Sequence, residues 1–331
     1  MKCIKVQLKE IEKTRISLFN NGILNNNYKI LKEDDFAYIP VKSKVEGFKL
    51  YNKKLIKLES KKSVKDLLKK EFSKKELYLL NSSFDIIGNI AIIEIEKELL
   101  YKKYLIADAL LKSNKQIKTV VRKLGAHEGD FRIQNYEFLS GINTFETIHK
   151  ESGISLKIDI SKTYYSPRSS NERLRISKLV KDNESILVMF SGIGIYCFII
   201  SKFSKAKDIY GVEVNPFAHS MAVENLKLNK IKNVELLCGD VKSIVPKINK
   251  KFDRIVMPLP KTSLEFLKLS INNINPNGII HFYFFSSLED SKDFINNICS
   301  DYNLKILRLI KTGQIKPNEY RMCADLQLVS Q

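Results

Sequence analysis

From about residue 184 onward, short apolar segments alternate with amphipathic ones in a regular rhythm. SILVMF, DIYGVEV, VELLCGD, DRIVMPL and GIIHFYFF have the pattern of strands, and the segments between them have the length and pattern of helices. This alternation is typical of an α/β fold with a doubly wound parallel sheet. Ligands of such sheets bind outside the carboxyl ends of the strands, so those ends are where a functional site is expected.

Two smaller units of mixed helices and strands precede this region. In the first, KCIKVQL and FAYIPV are predicted as strands and KTRISLFNNGIL as a helix. The lysine-rich ESKKSVKDLLKKEFSKKEL is predicted to be a helical connector. FDIIGNIAIIEI, with its Gly-Asn turn, and FETIHKESGISLKIDI are predicted to be hairpins. These patterns divide the chain into three domains, at residues 1–60, 61–155 and 156–331.

The charge balance favours a polyanionic partner. Lys and Arg number 56 against 37 Asp and Glu, so the formal net charge is +19, spread along all 331 residues. A folded basic protein of this kind suits nucleic acid, because each phosphate contact releases counterions. A bias of the whole sequence toward Lys, Asn and Ile is the alternative reason for the charge.

Cysteine, histidine and apolar patterns disfavour several classes of site. The five cysteines form no CxxC pair and the four histidines form no HExxH cluster, so we predict no metal site and reduced thiols in a cytoplasmic protein. The apolar stretch ILVMFSGIGIYCFIIS is shorter than the roughly 18 to 20 residues of a membrane helix and has two central glycines. We therefore predict no membrane segment.

Three consecutive strand ends carry residues suited to a nucleoside cofactor. Gly192 and Gly194 in FSGIG follow the first strand, where backbone without side chains allows a ligand to approach closely. Glu213 in GVEVNP can accept hydrogen bonds from ribose hydroxyls, and Asp240 in LLCGDV can accept one from an adenine amino group. Cys197 replaces the third glycine of the dinucleotide motif, which disfavours NAD. The structural alternatives are a helix cap at Asp240 and a surface charge at Glu213.

The segment DRIVMPLPKTS ends the next strand with two prolines. Proline lacks an N–H for the sheet ladder, so Pro258 and Pro260 predict an extended, unpaired stretch directly after the strand. Its carbonyl groups are then free to face a ligand, although an ordinary strand-to-helix loop would have the same composition.

Taken in order, YYSPRSSNER, FSGIG, VEVNP, CGDV and MPLPKTS resemble the motifs of the tRNA (guanine-37 N1) methyltransferases of archaea and eukaryotes. GDFRIQNYEFLSG and TIHKESG resemble the same family, and the first unit resembles the extra N-terminal domain of its archaeal members. The resemblance implies a C-terminal Rossmann-like class I methyltransferase domain after two smaller α+β RNA-binding domains. It implies methyl transfer to N1 of guanosine 37, and in one archaeal branch also to C7 of 4-demethylwyosine in wyosine biosynthesis.

The resemblance also implies which residues meet the cofactor and the RNA. The cofactor is S-adenosylmethionine, and the partner is tRNA, held at its anticodon loop and its elbow by a monomer. The implied cofactor-binding residues are Arg173, Phe190, Gly192, Gly194, Glu213, Val214, Asp240, Val241, Pro258 and Leu259. The implied RNA-binding residues are Tyr164, which stacks on the extruded base, Arg168, which grips phosphate or holds the adjoining loop, and Arg122, Lys123, Pro260 and Lys261.

Methylation of guanine N1 needs a general base, because N1 carries a proton until that proton is removed. The resemblance implies Glu172 as this base, and Glu172 also suits the first turn of the helix predicted at SSNERLRISKLV. It implies Arg132 in GDFR as the partner of the negative charge that develops on O6. Without the resemblance, an arginine that follows a strand would be interpreted as a surface residue.

The sequence departs from the family at two positions. Val188 stands where the family has Asp before the glycine-rich turn, and Pro258 stands where it has Asn after the fourth strand. Two competing hypotheses follow: a catalytically silent RNA-binding protein on a methyltransferase scaffold, and a methyltransferase for a small molecule or a protein. The presence of Glu172, Arg132 and both cofactor carboxylates disfavours the first, and the basic N-terminal units disfavour the second.

Overall fold

The computed structural model describes residues 1–58, 62–81, 83–129, 131 and 133–329, without the side chains of residues 126–128. The chain divides into two compact units, Met1–Leu67 and Leu68–Gln331. The predicted boundary at residue 60 lies outside the described residues, and the predicted boundary at residue 155 lies within the second unit. The division into three domains therefore stays a prediction.

The first unit packs a helix on an antiparallel sheet. Its elements are β1 (Lys2–Gln7), α1 (Ile11–Asn20), β2 (Leu31–Glu33), β3 (Phe36–Pro40) and β4 (Leu50–Asn52). The strands pair in the order β2-β3-β1-β4. Apolar residues of β1 and β3 form a core with Leu18 of α1. The strands and the helix that the sequence predicts in this unit are present.

The following segment differs in part from its prediction. Its elements are α2 (Val64–Leu68), α3 (Lys74–Leu79), β5 (Asp85–Ile87), β6 (Ile90–Ile93), α4 (Lys103–Ser113), β7 (Thr119–Glu128) and β8 (Ile133–Gly141). The single helix predicted for the lysine-rich segment is wrong: within its described part there are two short helices, because Ser73 and Glu76 form a capping box that starts α3. The β5–β6 hairpin is confirmed, with Gly88 at a φ of +57° in its turn.

The second predicted hairpin, the strands and the helices of the C-terminal region are also present. They are β9 (Glu146–Glu151), β10 (Ile154–Asp159), α5 (Ser170–Leu179), β11 (Ser185–Met189), α6 (Ile195–Phe203), β12 (Asp208–Glu213), α7 (Pro216–Leu228), β13 (Val234–Cys238), α8 (Val241–Ile244), β14 (Phe252–Met257), α9 (Leu264–Asn272), β15 (Ile274–Ser286), α10 (Ser291–Tyr302), β16 (Leu304–Lys316) and β17 (Glu319–Leu328).

The large sheet has the strand order β13-β12-β11-β14-β15-β17-β16. Strands β11 to β15 are parallel, as the alternating pattern predicts, but β17 pairs antiparallel with both β15 and β16. The predicted parallel sheet is therefore confirmed for β11 to β15, and the antiparallel strands β17 and β16 extend it at one side. The edge strand β16 is mostly exposed, so its sequence lacks the apolar run that marks a buried strand.

Both faces of the sheet are covered. Alternate residues of β11 face opposite sides: Ile186 and Val188 join a core with α5, α6 and α7, and Leu187 and Met189 join a core with α8, α9 and α10. Val188 is fully buried in the first of these cores. The departure from the family's Asp at this position therefore places an apolar residue in an apolar environment.

Candidate active site

A cavity of about 530 Å³ lies at the carboxyl ends of β11, β12, β13 and β14. Its lining combines the glycine-rich turn, the two strand-end carboxylates and the proline segment. The lining residues are Gly129, Phe131, Tyr164, Phe190, Gly192, Glu213, Val214, Asn215, Ala218, Asp240, Val241, Pro258, Leu259, Lys261, Thr262, Glu265 and Phe266. The strand ends therefore meet where the topology of a parallel sheet predicts.

The turn after β11 has an unusual backbone. Phe190 has a φ of +56°, a conformation that bulky side chains rarely adopt, and its ring packs edge-on against Phe266. Gly192 and Gly194 have φ values of +57° and +86°. Gly194 is the N-cap of α6, and a Cβ atom there would lie 2.4 Å from the Phe198 ring, so packing favours glycine at this position. Gly194 does not line the cavity.

Glu213 is held by backbone N–H groups at the end of β12. Its two carboxylate oxygens accept the Gly192 N–H at 2.7 Å and the Asn215 N–H at 2.8 Å. Burial raises the pKa of Glu213, while the N–H groups of Asn215 and Gly192 oppose that rise. The carboxylate thus links the glycine-rich turn to the next strand end.

Asp240 caps α8 and also lines the larger cavity. Its Oδ1 accepts the Lys242 N–H at 2.8 Å, which is the helix-cap alternative that the sequence left open. The side chain is exposed, so a cap and a ligand contact are compatible. Its neighbour Val241 is buried, and Val214 across the cavity is 42% exposed.

The proline segment makes a tight turn at the end of β14. The Leu259 N–H donates to the Met257 carbonyl at 2.8 Å across Pro258. Because the Leu259 N–H and the Met257 carbonyl bond to each other, they are not the free groups that the sequence analysis expected to face a ligand. Pro258 and Leu259 are half-buried at the larger cavity, and Pro260 is buried.

A second cavity, of about 110 Å³, adjoins the first. Aromatic and hydroxyl side chains dominate its lining, together with two arginines. The lining residues are Tyr164, Tyr165, Ser166, Ser169, Arg173, Phe190, Ser191, Gly192, Ile193, Ile195, Tyr196, Pro258, Pro260, Tyr283, Phe285, Ile315 and Arg321. Tyr164, Phe190, Gly192 and Pro258 line both cavities, so these four residues mark the junction.

Glu172 lies behind the smaller cavity in a buried polar network. The Tyr283 hydroxyl donates to its Oε1 at 2.6 Å, and Arg175 donates to both oxygens at 2.7 and 2.8 Å. Arg175 also donates to Asp325, at 2.6 and 3.1 Å. Burial would raise the pKa of Asp325, but hydrogen bonds from His281 and Arg175 lower it below its usual value.

The network continues to His281, Cys323 and Asp325, whose potential metal ligands lie within 4.8 Å of one another. The ring nitrogens of His281 are already engaged, Nδ1 with Asp325 at 2.6 Å and Nε2 with Arg254 at 2.8 Å. Two guanidinium groups, of Arg175 and Arg254, also contact the cluster. This arrangement suits a structural hydrogen-bond network and not a cation.

Arg173 lines the smaller cavity but is already paired. Its guanidinium donates to both oxygens of Glu151, at 2.7 and 2.5 Å, and to the Ser166 carbonyl at 3.0 Å. The Arg173 and Glu151 side chains are both buried, with 3% and 5% of their surface exposed. The contact with a methionine carboxylate stays a prediction.

The residues predicted to bind RNA are dispersed over the second unit. Tyr164 lies at the junction of the cavities, Pro260 lines the smaller cavity and Lys261 lines the larger one. Arg168 pairs with Asp85 at 3.0 Å, an arrangement that suits the holding of a loop. Arg122 donates to Glu137 and Lys123 donates to Glu94. Arg132 lies outside the described residues.

Several residues of the site were missed by the sequence interpretation. Two of them, Tyr283 and Tyr196, line the smaller cavity, and a third, Arg175, contacts Glu172. The two tyrosines lie in HFYFF and IYCFII, which have the pattern of apolar core segments. Ser191 lies inside the FSGIG motif. Within the described part of the chain, its hydroxyl is a buried side-chain oxygen that has no hydrogen-bond partner. Its position within this motif is the sequence feature from which Ser191 could have been predicted as a site residue.

The site fits S-adenosylmethionine. The larger cavity is lined by two strand-end carboxylates and by glycine backbone that allows close approach, and Phe190 has a positive φ that the surrounding structure must maintain. The unpartnered Ser191 hydroxyl lines the adjoining cavity. A buried hydroxyl without a partner is expected where a polar ligand completes the hydrogen bonding.

Three protein-family models match the chain. Residues 147–306 match the TRM5/TYW2 methyltransferase domain, residues 64–144 match the TYW2 N-terminal domain, and residues 3–49 match the tRNA methyltransferase 5 N-terminal domain. No helix among the described residues is long and apolar enough to cross a membrane.

Individual relatives are similar over long stretches. Trm5b of Pyrococcus abyssi, a tRNA (guanine(37)-N(1))-methyltransferase, is 36% identical over 98% of both chains, and its crystal structure superposes with a TM-score of 0.74 over the full length of both. The structure of a complex of aTrm5 with tRNALeu has a TM-score of 0.73 at 30% identity, and covers 99% of this chain and 100% of that one. Taw22 of Nanoarchaeum equitans, a tRNA (guanine(37)-N(1))/4-demethylwyosine(37)-methyltransferase, is 39% identical over 48% of this chain and 52% of its own length.

Proposed function

The chain belongs to the TRM5/TYW2 methyltransferase family, and from this premise we propose that it transfers a methyl group from S-adenosylmethionine to N1 of guanosine 37 in tRNA. The observation that carries the proposal is the pair of adjoining cavities. One has the strand-end carboxylates of a nucleoside site, and the other has the Glu172 network behind it. A cofactor and a flipped base would meet at their junction.

The chemistry divides between the two cavities. S-adenosylmethionine supplies an electrophilic methyl group on a positively charged sulfur. Glu213 would bind the ribose, Asp240 the adenine and Arg173 the methionine carboxylate. Tyr164 and Pro258 at the junction would bracket the target base, and Glu172 would take up the N1 proton. Arg132 would stabilise the negative charge on O6.

The proposed function is tested by identifying the nucleoside that receives the labelled methyl group. Labelled S-adenosylmethionine is incubated with an unmodified tRNA transcript that carries guanosine at position 37, and the tRNA is digested and analysed by mass spectrometry. We expect N1-methylguanosine, and none with a matched transcript that carries adenosine at position 37. Binding of tRNA without any labelled nucleoside would instead favour the catalytically silent RNA-binding protein.

The basic charge suits tRNA as the partner, and we propose contacts to its anticodon loop and elbow by a monomer in the cytoplasm. The proposed domains are 1–60 and 61–155 for RNA binding and 156–331 for catalysis. Deletion of residues 1–60 should weaken tRNA binding but leave S-adenosylhomocysteine binding unchanged. Unchanged kinetic constants at limiting tRNA would assign another role to this domain.

Pro258 favours a second activity, methylation of C7 of 4-demethylwyosine. Pro258 lines both cavities and offers no side-chain hydrogen bond, and the following N–H is used within the turn. A carbon nucleophile on a wider, tricyclic base needs room more than it needs an amide that grips a guanine edge. The related Taw22 is named for both reactions.

The second activity is tested with tRNA that carries 4-demethylwyosine. Pro258→Asn should impair methylation of the tricyclic base more than methylation of guanosine. An active wild-type enzyme that adds no methyl group to the tricyclic base would leave guanosine 37 as the sole target.

A further inference from the structure

Tyr283 stands between the smaller cavity and Glu172. It lines that cavity, whereas Glu172 lines neither cavity of the site. The Tyr283 hydroxyl donates to Glu172 Oε1 at 2.6 Å, and its side chain is only 1% exposed. A base that enters the smaller cavity would therefore meet the Tyr283 hydroxyl before the Glu172 carboxylate.

Glu172 is fixed in this position from the opposite side. Arg175 donates to both carboxylate oxygens, and Asp325 in turn holds Arg175 through two hydrogen bonds. Rotation of Glu172 into the cavity would break both charge-assisted bonds to Arg175. The direct route from a base nitrogen to the carboxylate is thus costly in this arrangement.

The Tyr283 hydroxyl is suited to pass a proton. Burial raises the pKa of Tyr283 well above its usual value, so the phenol stays protonated and keeps its hydrogen bond to Glu172. The Tyr196 hydroxyl donates to the Tyr283 hydroxyl oxygen at 3.4 Å. A phenol oxygen has two lone pairs, so one remains for an N–H group in the cavity.

We propose that Tyr283 is the catalytic residue that relays the N1 proton from the target base to Glu172, an inference that rests on the proposed function. The N1–H bond breaks and its proton bonds to the Tyr283 oxygen, while the original phenol proton moves to Glu172 Oε1. The electron pair of the N1–H bond stays on N1, where it becomes the nucleophile for the methyl group. Tyr283 ends as a neutral phenol, and Glu172 later releases its proton to water.

If Tyr283 had a purely structural role, a different effect of its loss on the methylation rate would be expected. Arg175 would still hold both oxygens of Glu172 after loss of the phenol, so Tyr283→Phe would then be nearly as fast as the wild type. In a relay, Tyr283 and Glu172 act as one unit, and loss of either breaks the same path. Their effects on rate are then far from additive.

The test measures single-turnover methylation of guanosine 37 at saturating S-adenosylmethionine and tRNA for Tyr283→Phe, Glu172→Gln and the double variant. We expect each single variant to be slower by roughly 100-fold, and the double variant to be no slower than the slower single one. Tyr210→Phe is the matched control, since Tyr210 packs on Phe252 away from both cavities. S-adenosylhomocysteine binding reports whether each variant is folded.

Each outcome of this test either supports or overturns the relay. Tyr283→Phe at nearly wild-type rate, or losses that multiply in the double variant, would overturn the relay. Should Tyr283→Phe fail to fold, site-specific Tyr283→3-fluorotyrosine keeps the packing and makes the phenol more acidic; the relay predicts a changed pH–rate profile, and an unchanged profile contradicts it. A wild-type enzyme that makes no N1-methylguanosine would refute the proposed function itself, whereas an active wild type with an equally active Tyr283→Phe refutes only the relay.

Discussion

The cofactor end and the reaction end of this site hold their carboxylates in different ways. Glu213 and Asp240 accept backbone N–H groups at the ends of parallel strands. Glu172 accepts side-chain donors, and its partner Arg175 is anchored by Asp325, 150 positions further along the chain. The first arrangement comes with the topology of the sheet, and the second depends on several distant side chains. We therefore expect changes at the cofactor end to alter affinity and changes at the reaction end to alter rate.

The largest effect is expected for Glu172→Gln. Loss of the general base should slow methyl transfer by roughly 100-fold or more, because Gln cannot take up the N1 proton. Binding of S-adenosylhomocysteine, measured by calorimetry, should stay nearly intact. Glu224→Gln, which alters an exposed pair with Lys157, is the control and should match the wild type. Equal losses of rate and cofactor affinity would contradict the assignment of Glu172.

Glu213→Ala should have the next largest effect, on affinity. Loss of charge-assisted hydrogen bonds to the ribose should cost about 1 to 3 kcal/mol of S-adenosylhomocysteine binding, and burial of the site favours the upper part of that range. The rate at saturating cofactor should change much less. Glu235→Ala, at an exposed position of β13, serves as the control. Wild-type affinity in Glu213→Ala would make this carboxylate purely structural.

At Asp240, the contribution of the negative charge can be measured apart from that of the acceptor oxygen. Asp240→Ala should weaken cofactor binding by about 1 kcal/mol, the lower part of the range, because the side chain is exposed. Asn preserves the helix cap but removes the charge. Asn also keeps an oxygen that can accept from the adenine amino group, so wild-type affinity for Asp240→Asn in calorimetry would show that the negative charge contributes nothing to cofactor binding.

The smallest effect is a pH dependence of cofactor binding. In the proposed site, ribose hydroxyls would donate to the ionised form of Glu213, and burial raises the pKa of this carboxyl. Affinity should therefore be full above the raised pKa and fall as the pH drops through it, at a higher pH than for an exposed Glu. Calorimetry from neutral to mildly acidic pH measures this decline. A decline of equal size in Glu213→Ala would assign it to another group.

The same contrast explains what the sequence could predict. Parallel strands end at one edge of a sheet, so the motifs FSGIG, VEVNP and CGDV locate the larger cavity without any long-range information. Tyr283 and Asp325 lie on β15 and β17 in segments with the composition of ordinary core strands. Asp325 acts on Glu172 only through Arg175, and its place there depends on the antiparallel β17, which the alternating pattern does not predict. Side-chain networks across distant strands leave no local periodicity.

The most direct test measures two quantities in parallel on Glu172→Gln and Glu213→Ala. These are the single-turnover rate of guanosine 37 methylation at saturating cofactor and the dissociation constant of S-adenosylhomocysteine. If the two ends of the site act separately, Glu172→Gln should lower the methylation rate and keep the affinity for S-adenosylhomocysteine. Glu213→Ala should lower that affinity and largely keep the methylation rate. Proportional losses of both quantities in both variants would contradict the division of the site into a cofactor end and a reaction end.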